Sequence, residues 1–386
     1  MNQRTSNPPE VISKKAIIVG LILVVVNAYW VGIASELWYA VYTLVSPFSN
    51  AVFTLVVLLV LNQLLRAFDR FGAPSVAFTP AELLLIYIMV TMVSTISGHA
   101  MMAILMGTLA HPFWFATPEN EWSQLFLHHI PAWLTVHDSQ WLAGYYEGES
   151  SIYWAEHLRI WVMPALIWSG FIFLLYGSLL CLGLFLRKQW MEREKLSFPL
   201  TQLPLQMTSH RGFFRSRALW LGFGLAALLR VIAGLHDLFP VIPALPPNYR
   251  LDRHFTERPW NAIGYASMSF NLAIVGLTYF MPLDLAFSTW FFFWLTRAER
   301  VIASAVGSTN ISVLHLNDRA SGAWVGIAVL TLWMGRRHFG RFFRHVIGRE
   351  RGDDTNEPFS YRTTAVLTLL SVGAVFAFCY AAGMSL

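Results

Sequence analysis

Residues 161–186 read WVMPALIWSGFIFLLYGSLLCLGLFL, and residues 187–207 continue as RKQWMEREKLSFPLTQLPLQM. The first run has no ionised side chain, and as a helix it would extend about 39 Å, more than the roughly 30 Å of a bilayer's hydrocarbon core. The second opens with Arg187, Lys188, Glu192, Arg193, Glu194 and Lys195, then carries Pro199 and Pro204. Together they read as a helix that crosses a membrane and stops at a water interface.

The rest of the chain has the same composition. Of 386 residues, 56% are hydrophobic and 13% charged, against roughly 25% charged in an ordinary soluble domain. That indicates a polytopic membrane protein. Cys181 and Cys379 lie inside apolar runs, which excludes an extracellular disulfide framework and a thiol-rich metal site.

Nine apolar runs are expected to span: 16–35, 48–65, 81–97, 161–186, 218–235, 262–281, 283–295, 320–334 and 363–384. Short loops rich in Lys and Arg stay cytoplasmic. With the N-terminus inside, segments 1–15, 66–80, 187–217 and 335–362 hold nineteen Lys and Arg, and the external loops hold seven. The pair of runs flanking Pro282 is expected to cross twice, because one crossing would put GRRHFGRFFRHVIGRER (335–351) outside; a re-entrant hairpin with a crossing elsewhere has the same parity. The net charge of +5 is thus a topology signal facing anionic lipid, and nucleic acid is not an expected partner.

Residues 1–15 read as a cytoplasmic tail, and 16–386 as a single transmembrane helical domain. Its external loop 111–160 is rich in Trp and His and suits the headgroup layer. The basic loops 187–217 and 335–362 face the cytoplasm. In the first of them, Glu192, Glu194, Pro199 and Pro204 mark a cytoplasmic elbow. Its two prolines are expected to forbid a regular helix and to join two groups of spans stiffly.

Ionisable groups within spans are costly and are candidates for function. The candidates for a solute or ion site are Asp284, His99, Arg230, Asn271 and Glu82. Glu82 in TPAELLLIYIM (79–89) stands three residues after Thr79, the spacing of a capping box. His99 follows Gly98 in STISGHAMMAIL (94–105), where a helix break is tolerated only against protein or a cavity. Asp284 follows Pro282 in FNLAIVGLTYFMPLDLAFSTWFFFWL (270–295), where a half-helix would expose free amides. Glu36 and Asp237, at span ends, read as solvated. Asn27, Asn62 and Asn310 accompany them. The external histidines His111, His128, His129, His137 and His157 lack metal-ligand spacing beyond one adjacent pair. No metal or cofactor is expected. No HExxH, Walker loop or GxSxG occurs, so an enzyme is not expected and transport would be secondary or passive.

Several segments carry a resemblance: TPAELLLIYIM, HPFWFATPENEW (111–122), GYYEG (144–148), KQWMEREKLSFPLTQLP (188–204), YFMPLDLAFSTWFFFWL (279–295), ASGAWVGIAVLTLWMGRRHFGRFFR (320–344) and EPFSYR (357–362). In these the chain resembles a family of bacterial and archaeal polytopic membrane proteins of unknown function, distantly similar to the oligopeptide transporter family. The resemblance implies a peptide-like solute, and members that continue beyond the last apolar run seen here.

The expected fold is therefore an all-α, polytopic transmembrane helical bundle of about nine spans, with discontinuous or re-entrant helices near Gly98 and Pro282. The expected function is secondary transport of an organic solute across the inner membrane, driven by an ion gradient. Partners would be the lipid bilayer and a small solute, and a homo-oligomer is compatible. The alternatives are a membrane-embedded enzyme acting on lipid or glycan, using the external histidines with Glu147 or Glu149, and a non-transporting scaffold.

Overall fold

A computed structural model describes residues 12–37, 49–69, 77–196, 198–209, 212–243, 248–269, 271–307, 316–349 and 357–384. In chain order the helices are α1 (Lys14–Glu36), α2 (Ser49–Asp69), α3 (Pro80–Ser97), α4 (Ile104–Trp114), α5 (Trp122–Leu125), α6 (Ser139–Tyr146) and α7 (Ala155–Lys188). They continue as α8 (Pro199–Ser209), α9 (Arg217–Leu238), α10 (Leu272–Tyr279), α11 (Leu283–Ala305), α12 (Leu316–Val346) and α13 (Tyr361–Ala381). Among the described residues, a single antiparallel hairpin pairs β1 (Asn248–Arg250) with β2 (Ser267–Ser269), Tyr249 opposite Met268.

The fold is all-α apart from this hairpin. Among the described residues, six helical stretches are long and apolar enough to cross a membrane: Lys14–Glu36, Ser49–Ala67, Pro80–Trp114, Ala155–Met191, Arg217–Leu238 and Tyr361–Ala381. Each overlaps most of one of the expected runs. In lipid only a helix or a closed barrel satisfies every backbone group internally, and so even the β-branched run of α1 is helical.

The other three runs depart from expectation. Run 262–281 is not a helix along its length: a 3-10 turn at Trp260–Ile263 gives way to Gly264 at φ 69 and ψ −167, and then β2 precedes the eight-residue α10. That backbone conformation is essentially closed to residues with a Cβ, and it turns the chain back into the hairpin. Runs 283–295 and 320–334 are helical within α11 and α12. Arg297, Glu299 and Arg300 in α11, and Asp318 and Arg319 with the basic stretch from Arg336 in α12, limit their uncharged apolar lengths.

The elbow also differs. Pro199 and Pro204 both lie within α8. Pro199 occupies the first helical position, where a missing N–H costs nothing. Pro204 removes only one helical hydrogen bond. It is buried, and its neighbours on that face, Leu203 and Met207, pack into a core. Side-chain burial therefore outweighs the proline penalty. The side chains of Glu192 and Pro199 lie outside the described residues, as does Asn310.

The chain divides into two compact units. Unit 1 comprises residues 1–27, 45–93 and 197–327; unit 2 comprises 28–44, 94–196 and 328–386. In unit 1, Ala16 of α1, Ala51, Leu55 and Leu58 of α2, and Leu83, Ile86, Tyr87 and Val90 of α3 form the core, closed by Met207 of α8. Small residues set the helix spacing: a Cβ on Gly20 would sit 2.5 Å from the Met89 sulfur, the close approach that favours small residues between membrane helices. Asn50 donates to Asn27 at 2.9 Å between α2 and α1.

In unit 2, α13 packs along α7, with Phe378 against Phe171 at 4.6 Å and edge-on to Trp133 at 5.6 Å. Near the basic end of α7, Phe185 stacks on Phe339 at 5.1 Å and meets Phe342 edge-on at 4.6 Å. Arg187 pairs with the buried carboxylate of Glu357 at 2.8 Å, and Lys188 lies over the ring of Tyr361 at 5.9 Å. Arg187, immediately before KQWMEREKLSFPLTQLP, thus neutralises Glu357 of EPFSYR, and Lys188 of the first motif meets Tyr361 of the second. Ala110, Val136, Leu142 and Trp161 form a second core, to which the Trp-rich loop contributes Val136 and Leu142.

Candidate functional site

The apolar stretch Pro80–Trp114 is not one continuous α-helix. Helix α3 ends at Ser97, buried Gly98 adopts an extended φ −71 and ψ 163, and a π-helical turn His99–Ala103 leads into α4. Gly98 accepts hydrogen bonds from the amides of Met101 and Met102, both at 3.1 Å, and so restarts the helix. An extended residue here interrupts the carbonyl-to-amide ladder at the end of α3. Such irregular backbone suits a site that must present polar groups.

Two ionisable side chains of unit 2 meet at this break. His99 Nδ1 lies 3.9 Å from Glu36 Oε1, where α1 ends, and about half of each side chain is exposed. The separation is too long for a hydrogen bond, so the contact becomes an ion pair only when the imidazole is protonated. Tyr145 of α6 joins the group. Partial burial, and secondarily the Glu36 charge, push its phenol above the usual tyrosine range. The Tyr145 ring sits 5.2 Å from Trp161 and edge-on to Tyr146 at 4.9 Å, while Tyr146 stacks on Trp114 at 5.1 Å. The result is an acid and an imidazole at a break in an apolar helix, with the phenol of an aromatic cluster near enough to feel the acid's charge. Such a set can take up and release a proton.

The other candidates are placed elsewhere. Glu82 is 2% exposed and acts in a buried knot of unit 1. Its carboxylate accepts from the Ser13 amide at 3.1 Å, from the Ser13 hydroxyl, and from the Thr79 amide at 2.8 Å. The Thr79 hydroxyl accepts from the Glu82 amide at 3.3 Å, completing the capping box. Beside it Asn62 exchanges two bonds with Phe78, at 2.9 and 2.6 Å, and Lys15 donates to the Ala77 carbonyl at 2.9 Å.

Asn271 caps α10, accepting from the Ile274 amide at 3.4 Å. Asp284 stands exposed in the first turn of α11, where no side chain caps the amides. Arg230 is exposed on α9, and Asp237 is exposed near that helix's end. Among the described residues, no hydrogen bond or ion pair joins Asp284, His99, Arg230 and Glu82 to one another. Of the five candidates, only His99 stands at the helix break.

Glu194 of the elbow is exposed and accepts from the buried Gln189 at 2.8 Å. Of the loop histidines, His157 bonds to the Ser150 hydroxyl and the Ser151 carbonyl, both at 3.0 Å, and His128 and His129 are ring neighbours at 3.8 Å. Among the described residues, no group of three or more His, Cys, Asp or Glu could hold a metal ion. Sequence reasoning treated Glu36 as solvated and did not single out Tyr145. GYYEG was visible as a motif, but nothing in it signals that its first tyrosine approaches a helix end more than a hundred residues upstream.

Compared with known proteins, residues 6–386 match the family described as Family of unknown function (DUF6785). The chain belongs to that family. No curated protein and no solved structure matches it, and the likeness to oligopeptide transporters has no counterpart in these comparisons.

Proposed function

For this member of a family of unknown function, we propose a multi-pass protein of the inner membrane that works as a proton-coupled secondary transporter of an organic solute. The observation that carries this reading is the break at Gly98 with Glu36 and His99 beside it. Transporters bind substrate and coupling ions where helices are discontinuous, because unwound backbone and half-helix ends supply polar groups inside an apolar bundle. Histidine changes charge between about pH 5 and 8. Protonation of His99 would complete its ion pair with Glu36, and deprotonation would release it, giving two charge states that favour different helix arrangements.

Orientation follows from the basic loops, with the N-terminus cytoplasmic. Helix α10, at about 12 Å, is too short to cross. The arrangement that keeps Arg336–Arg344 inside has α12 crossing and α10 with α11 forming a re-entrant pair.

The test is uptake by the full chain in liposomes with an imposed pH gradient, screening short peptides, amino acids and organic acids. At least one solute should accumulate with the gradient. His99→Gln and Glu36→Gln should each abolish gradient-driven accumulation while shifting stability by less than about 0.5 kcal/mol, as surface substitutions do. Folded protein that accumulates none of these solutes, or variants that transport like the parent, would overturn the reading.

A further inference from the structure

Helix α11 carries two arginines, Arg297 and Arg300, that form no ion pair with a carboxylate among the described residues, although the charge of Asp252 reaches Arg297. Both lie under the turn at Gly264. A Cβ on that glycine would stand 2.6 Å from Arg300 Nη1 and 3.3 Å from Arg297 Nη1, so both guanidinium groups border one small volume. Arg297 Nη1 donates to the Ile263 carbonyl at 3.2 Å, and its guanidinium lies over Phe293 at 4.9 Å. The Arg300 Nε is buried and finds no acceptor.

The nearby acid is already committed. Asp252 accepts from Arg250 Nε at 2.8 Å and from a terminal nitrogen of the same guanidinium, and it receives the Ala266 amide at 3.3 Å. Glu299 on the same helix pairs instead with Arg319. Two like charges therefore stand side by side, half-buried, with an unused N–H. A protein rarely leaves a buried donor unpaired, and adjacent cations repel unless an anion lies between them.

We propose that Arg297 and Arg300, beneath the Gly264 turn, form a binding site for an oxyanion, a carboxylate or phosphate group. Guanidinium forks match the paired oxygens of either group, and charge-assisted bonds of this kind are the strong ones. Gly264 belongs to the design in two ways. Its φ of 69 lets the chain turn over the arginines, and its lack of a Cβ leaves room where the guanidinium groups converge. The oxygen donor could be a dissolved anion or the headgroup of an anionic lipid. The site belongs to unit 1, whereas Glu36 and His99 belong to unit 2, and the inference does not depend on the transport reading.

Calorimetric titration of the purified full chain in a non-ionic detergent, with sodium phosphate and with succinate, tests it. The expected result is saturable binding of at least one anion, weakened tenfold or more in R297Q and in R300Q and lost in G264A, with helical content unchanged. R336Q, at an exposed arginine of unit 2, should bind as the parent does. The second arm places the protein in nanodiscs of phosphatidylglycerol or of phosphatidylcholine. Thermal stabilisation by phosphatidylglycerol alone, absent in R297Q and R300Q, would identify the occupant as a lipid phosphate and equally support the site. Anion affinity and lipid response that are both absent, or both indifferent to R297Q and R300Q, would overturn it.

Discussion

Two helix starts in unit 1 are written almost alike. TPAE at 79–82 and MPLD at 281–284 each place a proline two residues before an acid at the head of an apolar helix. Yet Glu82 is buried and accepts bonds from Ser13 and Thr79, while Asp284 is exposed in a first turn without a side-chain cap. Two things separate them. Thr79 is a capping residue where Met281 is not, so only the first start can close a capping box. The second is the neighbour: Ser13 of the segment before α1 brings donors to Glu82, and Asn62 of α2 ties down the approaching chain at Phe78. Local sequence offers the carboxylate, and tertiary packing decides whether it becomes a structural knot or stays available.

The difference can be broken by substitution. Glu82→Ala should cost most, about 2–4 kcal/mol, because it leaves the Ser13 and Thr79 donors buried without an acceptor. Thermal unfolding in detergent, read against the parent, measures it, and a loss under about 0.5 kcal/mol would put the knot in the same class as ordinary surface residues.

A third acid sharpens the contrast. Asp252 owes its pairing to Arg250, whose hydrogen bonds hold its carboxyl down at about 2. That folded value is depressed below the unfolded one, about 4. The stabilisation is thus complete above about pH 4 and fades as the pH falls towards 2. Hydrogen-exchange protection factors at the β1–β2 pairing, taken relative to intrinsic exchange at each pH, should fall over that window in the parent, and Asp252→Asn should remove that fall. The smallest effect belongs to Asp284→Asn, which should lower stability by no more than about 0.5 kcal/mol through the helix dipole. A loss matching that of Glu82→Ala would mean that Asp284 has a buried partner after all.

Much of this architecture was legible in the sequence where one rule dominates. Among the described residues, six of the apolar runs coincide largely with helices long enough to cross a membrane because lipid leaves the backbone no alternative. The capping box at Thr79 and Glu82 was visible because both partners lie within one turn. Run 262–281 misled because average apolarity conceals a single residue: Gly264, whose left-handed conformation diverts the chain into a hairpin. Pro204 misled in the opposite direction, since its cost is local and its compensation comes from burial in a core assembled by α1, α2 and α3. The meeting of Glu36 with His99 and Tyr145, and that of Arg297 with Arg300 beneath a distant turn, depend on packing that no spacing rule encodes.

The interleaving of the two units has a consequence for how the protein is made. Each unit is drawn from three separate stretches, and the chain passes from one to the other at 27/28, 44/45, 93/94, 196/197 and 327/328. Neither can finish folding while the ribosome has delivered only its early portions. Unit 1 waits for residues up to 327, and unit 2 waits for α13 to lie along α7. Through most of synthesis, apolar faces made early stand without their final neighbours, the condition under which nascent chains misassemble. A ribosomal pause or a chaperone hold before α13 emerges would therefore affect the yield of unit 2 more than that of unit 1.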